Sequence, residues 1–482
     1  MNQAVTIGFV IYLVLILVVG IITSRFNKTL PDFLLAGRSL GPWVVALSER
    51  ASGQSGWLIL GLTGLAYATG LGDPSGVKPQ PALWAAIGGC SGVILSWILI
   101  AERLRLESEK LGALTLPRFF ELRFRGEDPL IRLVTMGIII FCYIFYIAAQ
   151  FDAAGKSLEQ TFGFSHFKGI LIGASIIVFY TLMGGFLAVA WTDFVQGIIM
   201  LVTLVILPVV ALQQVGGLDA LVQKVSTVDS NLLTVSGERR GWKLLTGIIG
   251  GLGIGLGYLG QPHVLTRYMS IRSIGEVGKA KNIAIVYAVL TYGGAVLMGV
   301  VAIAYFGAGH FSDPEKMMPV LATTVFPAWF AGILICGALA AMMSTADSQL
   351  LVTTSSVAED LYHQSINSQA SQSQLVLISR IVTLVIGAAA SLLARLPASI
   401  VDKVLFAWGG LGAALGPPLV LSLWWEKTTR NGVLAGMVIG FVTVIIWDNF
   451  FKWTGLYSLI PGFLISWVAV YVISFRGNKV LV

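Results

Sequence analysis

The sequence predicts an all-α integral membrane protein of about thirteen transmembrane helices, and three observations carry that prediction. The 482 residues are 56% hydrophobic and only 11% charged, with a mean hydropathy of +0.84. The apolar residues gather into runs of the ~20 residues that a helix needs to cross a bilayer. The hydrophilic connections are short, so the chain 1–482 reads as one membrane domain.

The first run, 5–23, lacks a basic flank and a small-residue cleavage site, and reads as a retained helix. A second lies at 40–70, and others at 81–101, 130–150, 168–185, 186–213, 247–265, 283–306, 318–350, 375–396, 400–425, 432–450 and 455–475. The net charge of +7 follows the loops and is no sign of nucleic-acid binding. Arg25, Lys28 and Arg38 share a side with the densest basic loop, 102–128, which holds Arg103, Arg105, Lys110, Arg118, Arg123 and Arg125. The positive-inside bias puts that side in the cytoplasm, the amino terminus outside and the carboxyl terminus inside. Cys90, Cys142 and Cys336 lie singly within apolar runs, which indicates neither a disulfide framework nor a zinc site. No histidine has a second histidine at i+3 or i+4, and no Walker lysine motif supports ATP-driven pumping.

Two runs break the rules of a membrane helix. Run two carries Glu49, Arg50, Ser52, Gly53, Gln54, Ser55 and Gly56 at its centre. Charge and helix-breaking composition at bilayer depth persist mainly where backbone lines a protected cavity. We therefore expect 49–56 to be an unwound binding segment. Run seven holds Gly247, Gly250, Gly251, Gly253, Gly255, Gly257 and Gly260 ahead of Gln261-Pro262-His263. Glycine costs ~1 kcal/mol against alanine in a helix interior, so this run is expected to bend; close packing of small residues explains the glycines equally well. The two breaks stand five spans apart. They open two successive five-helix blocks, and an odd-sized block inverts its copy in the membrane, the pattern of a secondary transporter.

Run nine ends with a polar face. Ala341, Ser344, Thr345 and Ser348 fall on one side of a helix. Hydroxyls and free carbonyls are oxygen ligands of the kind a hard monovalent cation takes. Ser and Thr in membrane helices also bond back to carbonyls one turn earlier, and both readings stand. Asp193 and Asp347 are intramembrane carboxylates, hence functional candidates by default; solvation or an ion pair with a basic loop residue is the alternative.

Several stretches are similar to the solute:sodium symporter family: Gly37-Arg-Ser-Leu-Gly-Pro42, Ser55-Gly-Trp57, Ala113-Leu-Thr-Leu-Pro117, Gly184-Gly-Phe-Leu-Ala-Val189 with Trp191-Thr-Asp193, Gly257-Tyr258 with Gly260-Gln-Pro-His263, Met343-Ser-Thr345 and Thr429-Arg-Asn-Gly432. They run in order across nearly the whole chain. The resemblance implies a leucine-transporter-like core of two inverted five-helix repeats, at 40–213 and 240–425. Residues 1–39 would be a first helix and loop, and 426–482 two peripheral helices. It implies alternating-access import of a small amino acid, proline first, coupled to Na+, in a bacterial cytoplasmic membrane and without enzymatic chemistry. The partners are then the substrate, sodium and the lipid bilayer, with neither nucleic acid nor an obligatory protein partner. Another small carboxylate or osmolyte, coupling to protons, and a sensor that binds the solute without moving it are the alternatives.

Residue by residue, the resemblance places sodium on the carbonyls of Ala51, Gln54 and Ala341 and the hydroxyls of Ser344 and Thr345. A second sodium site, present in some relatives, falls on Asp193, Ser344, Asp347 and Ser348. The substrate positions are Ser55, Gly56, Trp57, Tyr146, Tyr258 and Pro262, and Arg38 is expected to couple ion binding to opening of the cytoplasmic side. The chain departs from the proline-transporting pattern at Gly53, where that pattern has an aspartate, and at Ile254, where it has a tryptophan. It departs again at Glu49 and Arg50, where small residues are usual. Arg50 is expected to pair with Glu49 or Asp347 rather than to wait for a strongly anionic substrate.

Overall fold

The computed structural model describes residues 3–24, 30–73, 80–124, 129–183, 185–397 and 399–477. Gly184 of the 184–189 motif, and the basic residues Arg25, Lys28 and Arg125, lie outside them. Every regular element among the described residues is helical, with one isolated bridge between Leu40 and Ile271. In chain order the helices are α1 (Gln3–Ser24), α2 (Leu30–Leu35), α3 (Pro42–Gly56), α4 (Thr63–Thr69), α5 (Ala82–Ser96), α6 (Glu102–Lys110) and α7 (Leu116–Arg123). They continue with α8 (Leu130–Phe162), α9 (His166–Met183), α10 (Phe186–Val215), α11 (Gly217–Asp229), α12 (Gly241–Gly253), α13 (Pro262–Met269) and α14 (Val277–Phe306). The last are α15 (Met317–Val325), α16 (Ala328–Ser355), α17 (Gln372–Leu393), α18 (Ile400–Trp424), α19 (Arg430–Phe450) and α20 (Leu459–Gly477).

Among the described residues, 11 helices are long and apolar enough to cross a membrane, against about thirteen expected. The two expected runs that fall short are helical too: α9, whose apolar stretch His166–Leu182 is brief, and the interrupted pair α3–α4. The outer surface is apolar where that of a water-soluble bundle is polar. On α1, Ile7, Ile11, Val14, Val18 and Ile22 are exposed, as lipid contact requires, whereas α18 is buried along nearly its whole length.

Both expected breaks are present, and each is sharper than anticipated. In run two the helix persists through Glu49–Gln54 and the departure is confined to Ser55 (φ 51°, ψ −176°), so the expectation that 49–56 is unwound is corrected. The helix survives because its polar side chains find partners on α10, α13 and α16, leaving the backbone no need to uncoil. A π-helical turn, Trp57–Leu62, then leads into α4. In run seven, α12 tightens into a 3-10 turn at Ile254–Gly260, Gln261 is extended, and Pro262 starts α13 at the first helical position, where its missing N–H costs nothing.

The run-seven glycines serve packing as well as the bend. A Cβ on Gly255 would lie 2.3 Å from the Gly88 carbonyl oxygen, and one on Gly92 2.3 Å from that of Gly255, so α5 and the 254–260 turn touch backbone to backbone. Gly257 makes room for Trp408, whose Nε1 would stand 1.8 Å from an added Cβ. Overpacking of such a contact costs ~1–3 kcal/mol. Gly255→Ala is therefore expected to lower the unfolding temperature of the detergent-solubilised protein clearly. Gly278→Ala, where an added Cβ meets nothing within 4 Å, should not.

Candidate ion and substrate site

The break at Ser55 organises the centre of the bundle. A serine at φ 51° and ψ −176° occupies a region that is almost glycine-only and strained by ~1–3 kcal/mol, so its surroundings must hold it. The Gly56 N–H donates to Gln150 Oε1 (3.0 Å), the Trp57 N–H reaches Ser55 Oγ (3.2 Å), and Tyr146 OH donates to the same Oγ (3.4 Å). Tyr146 and Gln150 are one turn apart on α8 and present one face to the break. Sequence reasoning missed Gln150; the signal was a glutamine in mid-span, four residues after the tyrosine.

On the other side of α3 stands the polar face of α16. Thr345 Oγ1 donates to the Ser52 carbonyl (2.8 Å), and Ser344 Oγ lies 3.1 Å from the Ala51 carbonyl and 3.2 Å from that of Ala341. Thr345 thus reaches across to α3, Ser344 has oxygens on both helices within range, and Ser348 bonds back to the Ser344 carbonyl (2.6 Å). The Gln54 carbonyl, expected in this set, accepts the Trp57 N–H at the break, while the Gln54 side chain donates to Thr291 Oγ1 (2.6 Å). The Ser52 carbonyl is the one brought to Thr345. Ala51, Ser52, Ala341, Ser344 and Thr345 are fully buried, and between them offer only neutral oxygens. That donor chemistry fits a dehydrated hard monovalent cation.

Beside it lies a buried charge cluster. Asp193 Oδ2 accepts from Ser48 Oγ (2.8 Å), Ser52 Oγ (2.9 Å) and Arg267 Nη2 (2.8 Å). The Arg267 guanidinium also donates to Ser348 Oγ (2.5 Å), Ser48 Oγ (3.2 Å) and the His263 carbonyl (2.7 Å). Asp193 and Asp347 are fully buried, and the partner of Asp193 is this α13 arginine rather than a loop residue. Asp347 reaches Ser348 Oγ (3.2 Å) through Oδ1, while its Oδ2 has no hydrogen-bond partner. Arg267 therefore stands among the residues expected to form a second ion site. It carried no recognisable signal: an arginine near the end of run seven looks like a loop residue until α13 folds back onto α3.

The expected substrate residues are brought together incompletely. Ser55, Gly56, Tyr146 and Tyr258 converge, with Tyr258 edge-on to Trp408 (centroids 4.7 Å) and Tyr146 edge-on to the same ring (6.3 Å). Trp408, which donates to the Ile254 carbonyl (2.8 Å), was not anticipated. Trp57 turns away toward Tyr292 (6.2 Å), whose hydroxyl lies 2.7 Å from that of Tyr258. Pro262 borders a separate cleft, with Thr115, Phe186 and Thr266. Glu49 and Arg50 form an ion pair with each other, as expected, and Glu49 also receives Trp97 Nε1 (3.3 Å).

Arg38 lies outside the membrane core, half-buried where the chain enters α3. It donates to the Met269 carbonyl (2.6 Å), the Ser108 hydroxyl and carbonyl (both 3.0 Å) and the Ala113 carbonyl (2.8 Å). It thereby ties the entry to α3 to the end of α13 and to the α6–α7 connection. Burial, with Arg105 nearby, pushes its pKa down to about 10, which leaves it charged at neutral pH.

A helical bundle with an interruption in each of two helices, and an oxygen-lined site where one of them meets a hydroxyl-bearing helix, is built as an ion-coupled secondary transporter. Comparison with known proteins agrees. The sodium:solute symporter family model matches residues 33–440. The chain is 39% identical over 485 residues to the sodium/proline symporter of Escherichia coli (strain K12), covering 98% of this chain and 93% of that protein. It is 40% identical over 462 residues to the high-affinity proline transporter PutP of Bacillus subtilis (strain 168), covering 95% of each. Among solved structures, a Na+-coupled sialic acid symporter in a substrate-bound, outward-open state superposes with a TM-score of 0.80 at 20% identity, over 98% of this chain and 97% of that one, a likeness of fold. The chain belongs to the sodium:solute symporter family.

Removing one member of a buried ion pair costs ~3–5 kcal/mol, because the other is left uncompensated. Arg267→Met is therefore expected to lower the unfolding temperature in detergent sharply. Combining it with Asp193→Asn should restore much of the loss. Equal temperatures for the single and double variants would mean the pair carries no coupling.

Proposed function

We propose that this chain is a sodium-coupled importer of L-proline, working by alternating access in a bacterial cytoplasmic membrane and catalysing no covalent chemistry. The observation that carries the reading is the meeting of α3 and α16, where carbonyls beside the Ser55 break face the hydroxyls of Ser344 and Thr345. The names of the relatives add proline as the substrate. We assign sodium to Ala51, Ala341, Ser344 and Thr345, with the Ser52 carbonyl in the place given to Gln54 from sequence. Ser55, Gly56, Tyr146 and Tyr258, with Trp408, are assigned to the substrate; the rings suit its pyrrolidine.

Glu49 neutralises Arg50 and Arg267 neutralises Asp193, so the paired charges of the centre cancel and the assigned sodium site is built of neutral oxygens. On this reading the Asp193, Ser344, Asp347 and Ser348 set takes no second ion, because a guanidinium already stands in it.

Sodium binding across α3 and α16 would favour the state in which those helices are together, and the substrate pocket with it, by differential affinity. We read 40–213 and 240–425 as the two inverted repeats, each opening with a long helix, a distorted turn and a short helix, with 1–39 and 426–482 outside them. The amino terminus is placed outside and the carboxyl terminus inside. The Arg38 contacts then act as the cytoplasmic latch that must part for release.

Uptake of labelled proline into proteoliposomes under an inward sodium gradient, a proton gradient, or neither tests the coupling. Only the sodium gradient is expected to concentrate proline, and uptake indifferent to sodium would sink the reading. Each oxygen lost at the ion is worth about 1.5–3 kcal/mol, so Ser344→Ala/Thr345→Ala should raise the sodium concentration for half-maximal uptake by roughly tenfold or more. An unchanged sodium dependence in the double variant would refute the ion assignment.

A further inference from the structure

The Glu49–Arg50 pair has one end left over. Arg50 gives Glu49 its Nε (2.5 Å from Oε2) and its Nη2, and Glu49 is completed by Trp97 Nε1 at 3.3 Å and Tyr268 OH at 3.5 Å. The carboxylate is saturated and clamps the guanidinium from one side. Arg50 Nη1, fully buried, has no hydrogen-bond partner. Buried N–H groups of a charged side chain are costly to leave unpaired.

Its surroundings point toward the substrate. The guanidinium carbon stands 5.1 Å from the centroid of the Tyr258 ring, and Tyr258 OH donates to the Gly53 carbonyl (3.2 Å). Gly53 sits one turn after Arg50 on the same face of α3, and a Cβ there would lie 3.4 Å from Nη2 and 3.3 Å from the Tyr258 ring. Glycine at 53 is thus what lets the guanidinium and the Tyr258 ring approach this closely. Gly53 lies two residues, about 3 Å of helix rise, short of the Ser55 break.

We propose that Arg50 is a specificity-determining residue whose Nη1 takes the carboxylate of the transported solute, with Glu49 as the clamp that orients it. The inference rests on the small-solute importer reading and deepens it: the substrate class is a small molecule with a free carboxylate. Glu49 keeps the pair neutral when the pocket is empty, so a single carboxylate on a zwitterion suffices. A dianion is not required. Because the guanidinium is charged, the hydrogen bond from Nη1 is charge-assisted and is stronger to a carboxylate than to the neutral carbonyl of the matching amide.

The test uses the full chain in proteoliposomes with an inward sodium gradient. L-Proline, glycine betaine and pyruvate are compared as substrates, each against its amide as competitor. The wild type is expected to prefer the carboxylate by about 10- to 100-fold; equal acceptance of the amide by the wild type overturns the inference with no variant needed. Glu49→Gln/Arg50→Met removes both charges together, leaving no unpaired ion to unfold the protein, and its sodium-dependent thermal stabilisation reports that the ion site is intact. That variant should lose most of the preference, and Arg50→Lys should keep part of it. An unchanged ratio in the folded double variant means the pair is structural only, and refutes the proposal. A wild type that takes pyruvate or betaine but not proline defeats the proline reading and leaves this inference standing.

Discussion

Everything at the centre of this protein answers to one constraint: main-chain groups released at Ser55, in the middle of a bilayer, must be satisfied without water. Each unmet group would cost several kcal/mol there. Gln150 takes the Gly56 N–H, Thr345 takes the Ser52 carbonyl, Ser344 lies against that of Ala51 and Tyr258 takes that of Gly53. Those four side chains come from α8, α16 and the 254–260 turn, so the break recruits the elements that surround it. A strained serine persists because the whole bundle is arranged around its amides and carbonyls.

The same partners explain why such a site can move. A neutral hydrogen bond contributes only about 0.5–1.5 kcal/mol net, so each contact across α3 and α16 can be broken at little cost. The buried charges are held differently. Arg267 is bound to Asp193, Ser48, Ser348 and the His263 carbonyl at once, and Arg50 is bound to the residue beside it in the chain. Glu49 and Arg50 travel together on α3 whatever that helix does, whereas the Arg267 contacts join α13 to α3, α10 and α16. Motion of α3 therefore separates no charges at 49–50, whereas at Ser48 it breaks hydrogen bonds to the Arg267–Asp193 pair.

Much of this was legible in the sequence, for physical reasons. Burial in lipid forces long apolar runs, so the spans show in composition, and polar residues at bilayer depth are rare enough that 49–56 and 247–263 announce themselves. The face of Ala341, Ser344, Thr345 and Ser348 follows from helical geometry alone. Motif resemblance added the family. The extent of unwinding did not show, because whether Glu49–Gln54 stays helical depends on partners supplied by α10, α13 and α16.

Tertiary structure alone decided the rest. Gln150, Arg267 and Trp408 entered the site through contacts with residues 94, 74 and 154 positions away, and no local pattern encodes such contacts. The choice of the Ser52 over the Gln54 carbonyl turned on a single residue's φ and ψ. Trp57 and Pro262 parted from the other substrate positions because the π-helical turn and the start of α13 aim them elsewhere. Sequence by itself determined where this membrane protein would break its helices and which oxygens could meet there. Packing determined which of them do, because at bilayer depth each polar group takes whichever partner the fold brings within reach.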